Sequence, residues 1–559
     1  MPRLGVARRA VLPLIALLGF VLLGFVWAYS TPASSAADDD FHLPSIWCAW
    51  GWTDTCQPGV KPGTVLVPQR VAQSNCHVFG PVTDAGCVLS LTEELVETPR
   101  VNDGHNPGLF YSAMRLFVGG NAYQSVVIMR FANVLFAALM IALAAWTCAK
   151  RDRLAFLLSW ATLLVPVGLF FIASTNPSSW VFIGVGTFWA FLLTALRRGV
   201  RDRRGVIAAV GAAVSAVVAL GARIDSVIPL LVSAVVVLVL SQGTVVSLVR
   251  RHRIGSAVGA LCLLALFAVV WFVGLGTRVQ SALGRLYVPG GDATRDQPNA
   301  IVKALAEMPT FFTSLVGAQR PVWVQREGSL DITSAGYSTP SYFYGVSSME
   351  FQLPAAVGAI LTAVVGGVIL LGFVDRRTRK LVAFGIAVIG LVAAILITRA
   401  SVGFVEWSSF FSFNIQPRYF FPYALLIVGV ALIVRRRYRP IFNGTQATFV
   451  VIGLVLAEAI SLRGILARYI YGPDHSWTQL DGSRGWWWPS GPSPDTVWLI
   501  AVLASIVLYG SILHWASRPP RNRSGSGADI KGVHPGPEAQ ATPVGVVEGT
   551  STSEQVADI

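Results

Sequence analysis

The chain has 559 residues, 54% of them hydrophobic and only 13% charged, with a mean hydropathy of +0.60. Average soluble domains carry roughly 25% charged residues, so these values exclude a large soluble enzyme and indicate an integral membrane protein. The net charge of +14 is split among short clusters rather than gathered on one continuous basic face, which excludes a nucleic-acid-binding surface.

The first element is an apolar run from Ala10 to Tyr29, preceded by Arg3, Arg8 and Arg9. The small residues Ala33 to Ala37 imitate a signal-peptidase site, but a run of about 20 apolar residues exceeds the usual 7–15 of a signal sequence. It is long enough to cross a bilayer and reads as an uncleaved first span, residues 1–29 with the cytoplasmic N-terminus. Residues 30–122 form a first external loop. Spans 2 to 7, within 123–275, are expected near Tyr123–Ala149, Leu154–Ile172, Ser178–Leu196, Gly205–Ala222, Ile224–Val249 and Ile254–Leu275. A second external loop, 276–352, contains an amphipathic stretch, Asn299 to Leu315, suited to lie along the membrane surface. Spans 8 to 12, within 353–516, fall near Leu353–Val374, Leu381–Ile397, Tyr419–Val434, Ala447–Leu462 and Val497–His514.

Basic clusters test this count. Lys150-Arg151, Arg197 to Arg204, Arg250 to Arg253, Arg376 to Lys380 and Arg435 to Arg439 follow alternate spans, and Arg518 to Arg523 follow the last. Positive residues stay on the cytoplasmic side, so twelve crossings place every cluster inside together with both termini. The expected fold is an all-α polytopic protein of about twelve transmembrane helices in a bacterial plasma membrane, with two long external loops. The tightest step is the turn Gly221 to Asp225 between spans 5 and 6. The tail 517–559 is rich in Gly, Pro, Ser and Thr and is expected to be disordered on the cytoplasmic side.

Chemistry-bearing residues concentrate on the external side. Cys48, Cys56, Cys76 and Cys87 share the first loop and suit one or two disulfides of open pairing; zinc is the rival, although no CxxC is present. Directly after span 1 stands Asp38-Asp39-Asp40-Phe41-His42. Asp38 and His42, four apart, can share a helical face. Asp38 and Asp39 offer hard oxygens for a divalent cation such as Mg or Mn, or a general base toward a hydroxyl; a solvated helix N-terminus explains the same residues. His105 and Asp103, in Asn102 to Tyr111, join this cluster if the loop folds back. Arg223 and Asp225 flank an external turn and suit mutual pairing. Arg418, followed by Tyr419, is the sole charge at the outer mouth of span 10, where a guanidinium suits a phosphate. Glu458 lies inside span 11 with Arg463 as a possible partner. Trp486-Trp487-Trp488 reads first as an interface anchor and second as a stacking platform for sugar rings.

These motifs resemble a bacterial family of multi-pass membrane proteins of unknown function that is similar to the GT-C membrane glycosyltransferases. The family's Asp-Glu-x-x-His is answered by Asp38 to His42, and its His-Pro-Pro-Leu-Tyr-Tyr by His105 to Tyr111. Asn176-Pro177-Ser178 answers an Asn-Pro-Asp, and Gln416 to Pro422 a Gln-Gly-Arg-Tyr-x-x-Pro. Asp39, Ser178 and Pro417 depart from that pattern. The resemblance implies a GT-C-like fold, a polyprenyl-phosphate sugar donor and an envelope glycan or glycolipid acceptor. It implies catalytic roles for Asp38, Asp39 and His42, and substrate binding by His105, Tyr111, Arg223, Asp225, Arg418 and Tyr419. A transporter or flippase of an envelope precursor, and a non-catalytic envelope-assembly protein, are the alternatives.

Overall fold

A computed structural model of the protein describes residues 2–78, 84–104, 106–199, 201–251, 324–326, 329–331, 353–373, 377–401, 417–433, 442–472, 480–481 and 485–517. The predicted seventh span, the amphipathic stretch Asn299 to Leu315 and the tail from Arg518 lie outside these residues. So does nearly all of the second external loop.

Among the described residues, eight helices are long and apolar enough to cross a membrane: Val11–Tyr29, Ala122–Thr147, Asp152–Ile172, Ser178–Arg198, Arg203–Ala222, Thr378–Ile395, Gly444–Tyr471 and Pro494–Ser517. Three shorter apolar helices, Ile224–Leu240, Ala356–Gly372 and Phe421–Leu432, stand at three further predicted spans. The protein is therefore a mostly helical, polytopic membrane protein. Side-chain caps fix several helix starts, satisfying backbone N–H groups that a helix leaves open. Asn121 accepts from Gln124 N, Asp202 from Arg204 N, and Asn443 forms a reciprocal capping box with Gln446. The tight turn at Gly221 to Asp225 is present: Arg223 turns extended and a single 3-10 turn, Ile224–Ser226, starts the next helix. The third span, expected to be continuous, is interrupted at Val165, whose ψ of 135 leaves the helix. Pro166, which cannot continue the backbone hydrogen-bond ladder, follows it.

Close backbone approach joins the spans, as expected where small residues replace a hydrophobic driving force between helices. A Cβ at Gly19 would lie 3.0 Å from the Leu508 backbone nitrogen, and one at Gly184 only 2.6 Å from the Ser215 carbonyl. Beside Gly184, Thr187 and Ser215 share a hydroxyl hydrogen bond of 2.9 Å. Among the described residues, the one acid buried within the later spans is Glu458, and of the two partners the sequence left open, Arg463 or another group, it takes the other. Trp27 Nε1 donates to its Oε1 at 2.5 Å, while Arg463 pairs with Asp495 at 3.0 Å. Intramembrane polar groups need a protein partner because lipid offers none.

The first loop is a folded cap. Strands β1 (Gln57–Pro58), β2 (Val65–Pro68) and β3 (Leu95–Thr98) form an antiparallel sheet in the order β1-β2-β3, with Val65 opposite Thr98 and Val67 opposite Val96. Val65 and Val67 are buried on one face, the alternation a half-covered strand requires. The open cysteine pairing resolves into Cys48–Cys56 and Cys76–Cys87. All four thiolates that zinc would need are thereby consumed.

Glu458→Leu is expected to orphan the buried Trp27 N–H and lower stability by about 1–3 kcal/mol, whereas Glu458→Gln keeps an acceptor and most of the stability. Thermal unfolding in detergent reads the difference; equal midpoints for the two variants would show that the bond contributes nothing.

Candidate functional site

The site begins where the first helix (Pro2–Tyr29) ends. Residues 30–38 run without regular structure, so their carbonyls need donors from elsewhere. Arg130, inside the helix Ala122–Thr147 and fully buried, supplies them. Its Nη1 donates to the Thr31 carbonyl at 2.6 Å and to Thr31 Oγ1 at 3.1 Å; Nη2 donates to the Pro32 carbonyl at 2.9 Å and to Ser35 Oγ at 3.3 Å. Asn176, also fully buried, holds the far end of the segment: its Nδ2 donates to the Ala37 carbonyl at 2.6 Å, while its Oδ1 accepts from Ser178 N. The Asn176-Pro177-Ser178 turn is thus a clamp on the acid motif. Trp488 closes the other side, stacked on Tyr29 and donating to its carbonyl at 2.8 Å. Trp487 is buried edge-on against Tyr469, so these two tryptophans pack the end of the bundle.

Held in this way, Asp38 adopts φ 62, the left-handed region that a side chain such as Asp tolerates better than most. The acid helix Asp39–Trp47 follows. The three acids diverge, and each faces a different arginine. Asp38, half exposed, accepts from Arg418 Nη2 at 2.8 Å, and Arg418 itself is 2% exposed. Asp39 points inward: it is 1% exposed, accepts from Ala36 N at 3.2 Å and lies 3.9 Å from Arg130. Asp40 receives Nε and Nη2 of Arg100 at 2.8 and 3.0 Å, and Arg100 also stands 3.9 Å from Asp38.

The loop does fold back, and it brings Tyr111 to the acid helix. Asn102 N donates to Ser45 Oγ at 2.8 Å, and His42 Nδ1 shares a 2.9 Å hydrogen bond with Tyr111 Oη. Tyr419 Oη accepts from Arg418 Nη2 at 3.2 Å, and its ring faces two cations. Arg418 stands 5.1 Å and Arg223 4.7 Å from the ring centroid, a favourable arrangement for guanidinium groups. Arg223 is held in turn by both oxygens of Asp225, at 3.1 and 2.7 Å. Asp38, His42, Tyr111, Arg223, Arg418 and Tyr419 therefore converge, with Asp225 one step behind Arg223. His105 lies outside the described residues. Among the described residues, Arg418 Nε and Nη1 are buried without hydrogen-bond partners.

Burial and charge compete at each group. Burial pushes the Asp38 carboxyl up, but the groups around it, Arg418 foremost with His42 and Arg100, together outweigh burial and leave Asp38 below the ordinary carboxylate value. Burial raises Asp39 to about 7 against the opposing Arg130, and burial lowers both His42 and His77 to about 3, with nearby arginines acting in the same direction. His42 is thus neutral at physiological pH and meets Tyr111 as an uncharged partner.

The model of a family described as predicted membrane protein, DUF2142, matches residues 20–427. The chain belongs to this family. The match contains both Asp38 and Arg418, the two ends of the central ion pair, and stops before Glu458 and Arg468. No curated protein and no solved structure matches the chain. Family membership carries a membrane protein of unknown function and no reaction.

Sequence inspection gave Arg130, Asn176 and Arg100 no place in the site. A lone charge in an apolar span is the available signal for Arg130, and the Asn176-Pro177-Ser178 element is the one for Asn176; Arg100 shows its role only through contacts across the fold.

Two outcomes are expected. Arg130→Ala removes the anchor of residues 30–35 and strands Asp39, costing about 3–5 kcal/mol, and Asn176→Ala costs about 1–3 kcal/mol; both are read as lower unfolding midpoints. The second concerns pH. His42 and His77, lowered in the folded state, lose stability as pH falls from about 6.5 toward 3. Asp39, raised, acts oppositely, adding stability as pH falls from about 7 toward 4. Acidification from pH 7.5 to 5 should destabilise the wild type, and Asp39→Asn should steepen that loss; a shallower loss would refute the assignment.

Proposed function

We propose that this protein is a GT-C-like membrane glycosyltransferase of the bacterial plasma membrane. It takes a sugar from a polyprenyl-phosphate carrier at the outer face and attaches it to a cell-envelope glycan or glycolipid. The observation that carries this reading is the 2.8 Å pair between Asp38, next to the end of the first helix, and Arg418, beside the helix Phe421–Leu432. A buried guanidinium with two donors unpartnered among the described residues and a half-exposed carboxylate meet at one point. Transfer from a phosphate carrier needs those two functions side by side.

In the reaction the acceptor hydroxyl attacks the anomeric carbon, the bond from that carbon to the phosphate oxygen breaks, and its electron pair leaves with the phosphate. Arg418 meets the charge developing there, and its planar donors can grip two phosphate oxygens. Asp38 takes the acceptor's proton. While bound to Arg418 it is a weak base, because the guanidinium favours its ionised form. A carrier phosphate that claims Arg418 withdraws that hold, so donor binding raises the basicity of Asp38 when the acceptor needs it. His42 and Tyr111 border the carboxylate as neutral hydrogen-bonding groups for sugar hydroxyls. Arg223 and Tyr419 back Arg418. Asp39 shapes the turn from within rather than touching substrate. Both termini lie in the cytoplasm in this arrangement.

The test uses the purified full chain in lipid nanodiscs, polyprenyl-phosphate sugars and envelope acceptors. Asp38→Asn and Arg418→Ala should each lower transfer by roughly 100-fold or more, with unfolding midpoints showing that the proteins remain folded. Arg418→Lys should recover part of the loss. Transbilayer movement of labelled carrier by the wild type, with no new glycosidic bond, would replace this reading by a transporter.

A further inference from the structure

Three consecutive acids beside a site for a phosphate substrate have the composition that commonly holds a divalent cation, which takes several hard oxygen ligands at once. The geometry of Asp38, Asp39 and Asp40 does not suit that task. The left-handed turn at Asp38 sends successive carboxylates apart: Asp38 has a half-exposed side chain, and that of Asp39 is fully enclosed. Two neighbours in such different surroundings cannot close on one ion without refolding the turn that Arg130 and Asn176 hold. Among the described residues, the trio spaced to ligate a metal is Cys76, His77 and Cys87, and its two sulfurs are already joined to each other.

Each acid, moreover, already has a cation. Arg418 bonds Asp38 Oδ2, and Arg100 stands 3.9 Å from its Oδ1 while gripping both oxygens of Asp40. Arg130 lies beside Asp39. Asp38 and Asp40 against Arg418 and Arg100 make a charge-balanced cluster, and an added divalent ion would meet both of those guanidinium charges at contact range. The three arginines arrive from separate places: the loop after β3, the helix Ala122–Thr147 and the turn Pro417–Tyr419. Arg100 is further placed over the Phe41 ring at 5.7 Å.

We infer that Arg418 and Arg100 stand where a divalent cation would otherwise stand, so that Asp38 and Asp40 are charge-matched, and a phosphate is met, without Mg2+ or Mn2+. The inference deepens the sugar-transfer reading, because it gives guanidinium groups the work of a metal at the departing phosphate. Its test does not pass through sugar transfer, so either can fail alone.

The probe is Mn2+, whose free form is counted by its electron paramagnetic resonance signal, titrated into the purified full chain in detergent. The wild type is expected to show no bound Mn2+ that depends on Asp38. Arg418→Ala and Arg100→Ala should each gain a site about tenfold or more tighter than any in the wild type, the consequence of removing one like charge at close range. Adding Asp38→Asn should weaken the gained site in Arg418→Ala, and adding Asp40→Asn should weaken it in Arg100→Ala. Arg100 is half exposed, so its variant keeps the test intact if Arg418→Ala does not fold. A wild-type Mn2+ site abolished by Asp38→Asn overturns the inference. So does the absence of any gain in folded variants, since arginine would then not be what keeps the ion away.

Discussion

A single guanidinium inside the second spanning helix governs the outer architecture. Arg130 reaches the carbonyls of Thr31 and Pro32 and the hydroxyls of Thr31 and Ser35. In doing so it converts a charge that would be costly at membrane depth into the anchor of an irregular segment that has no ladder of its own. With that segment fixed and Asn176 holding Ala37, the left-handed turn at Asp38 has only one place to put its carboxylate. The meeting with Arg418 follows from this scaffolding and not from the acid motif alone.

The membrane architecture was legible because lipid imposes its demands one segment at a time. A span must be apolar for its whole length, and clusters such as Arg197 to Arg204 must remain on one side; both constraints are written locally. Predicted and observed helix limits agree within a few residues at Ser178–Arg198 and Arg203–Ala222. The helix Gly444–Tyr471 continues nine residues past its expected end at Leu462, because its last turns pack against the folded cap, where Arg468 donates to the His77 carbonyl. The small sheet of the first loop escaped notice: β2 is only four residues long and its neighbour β3 lies about thirty residues further on.

The candidate site was half readable. Asp38, His42 and Arg418 announced themselves as polar groups at helix ends. Their grouping did not, since nothing in the order of residues says that positions 380 apart will touch. Asp39 illustrates the opposite failure. It has the same chemistry as its neighbours, and one step along a helix turn moves it from a wet face to a dry one. Glu458 shows it again: Arg463 looked like its natural partner by charge, but direction along the helix sends that arginine to Asp495 and leaves the acid to an indole. Distance along a chain is a poor guide to company inside a bundle.

The hydrogen bond from Trp27 to Glu458 spans 431 residues, and this has a bearing on biogenesis. Ribosomes add about 5–20 residues per second, so the opening helix waits roughly 20 to 90 s in the translocon's neighbourhood before its mate is made. The two disulfide loops, by contrast, can close within moments of emerging. A nascent chain therefore matures in sequence: a stapled cap first, a loosely held helix bundle next, and a joined pair of distant ends only as synthesis nears completion. A polypeptide cut short before the penultimate helix would retain the cap and lose that closure.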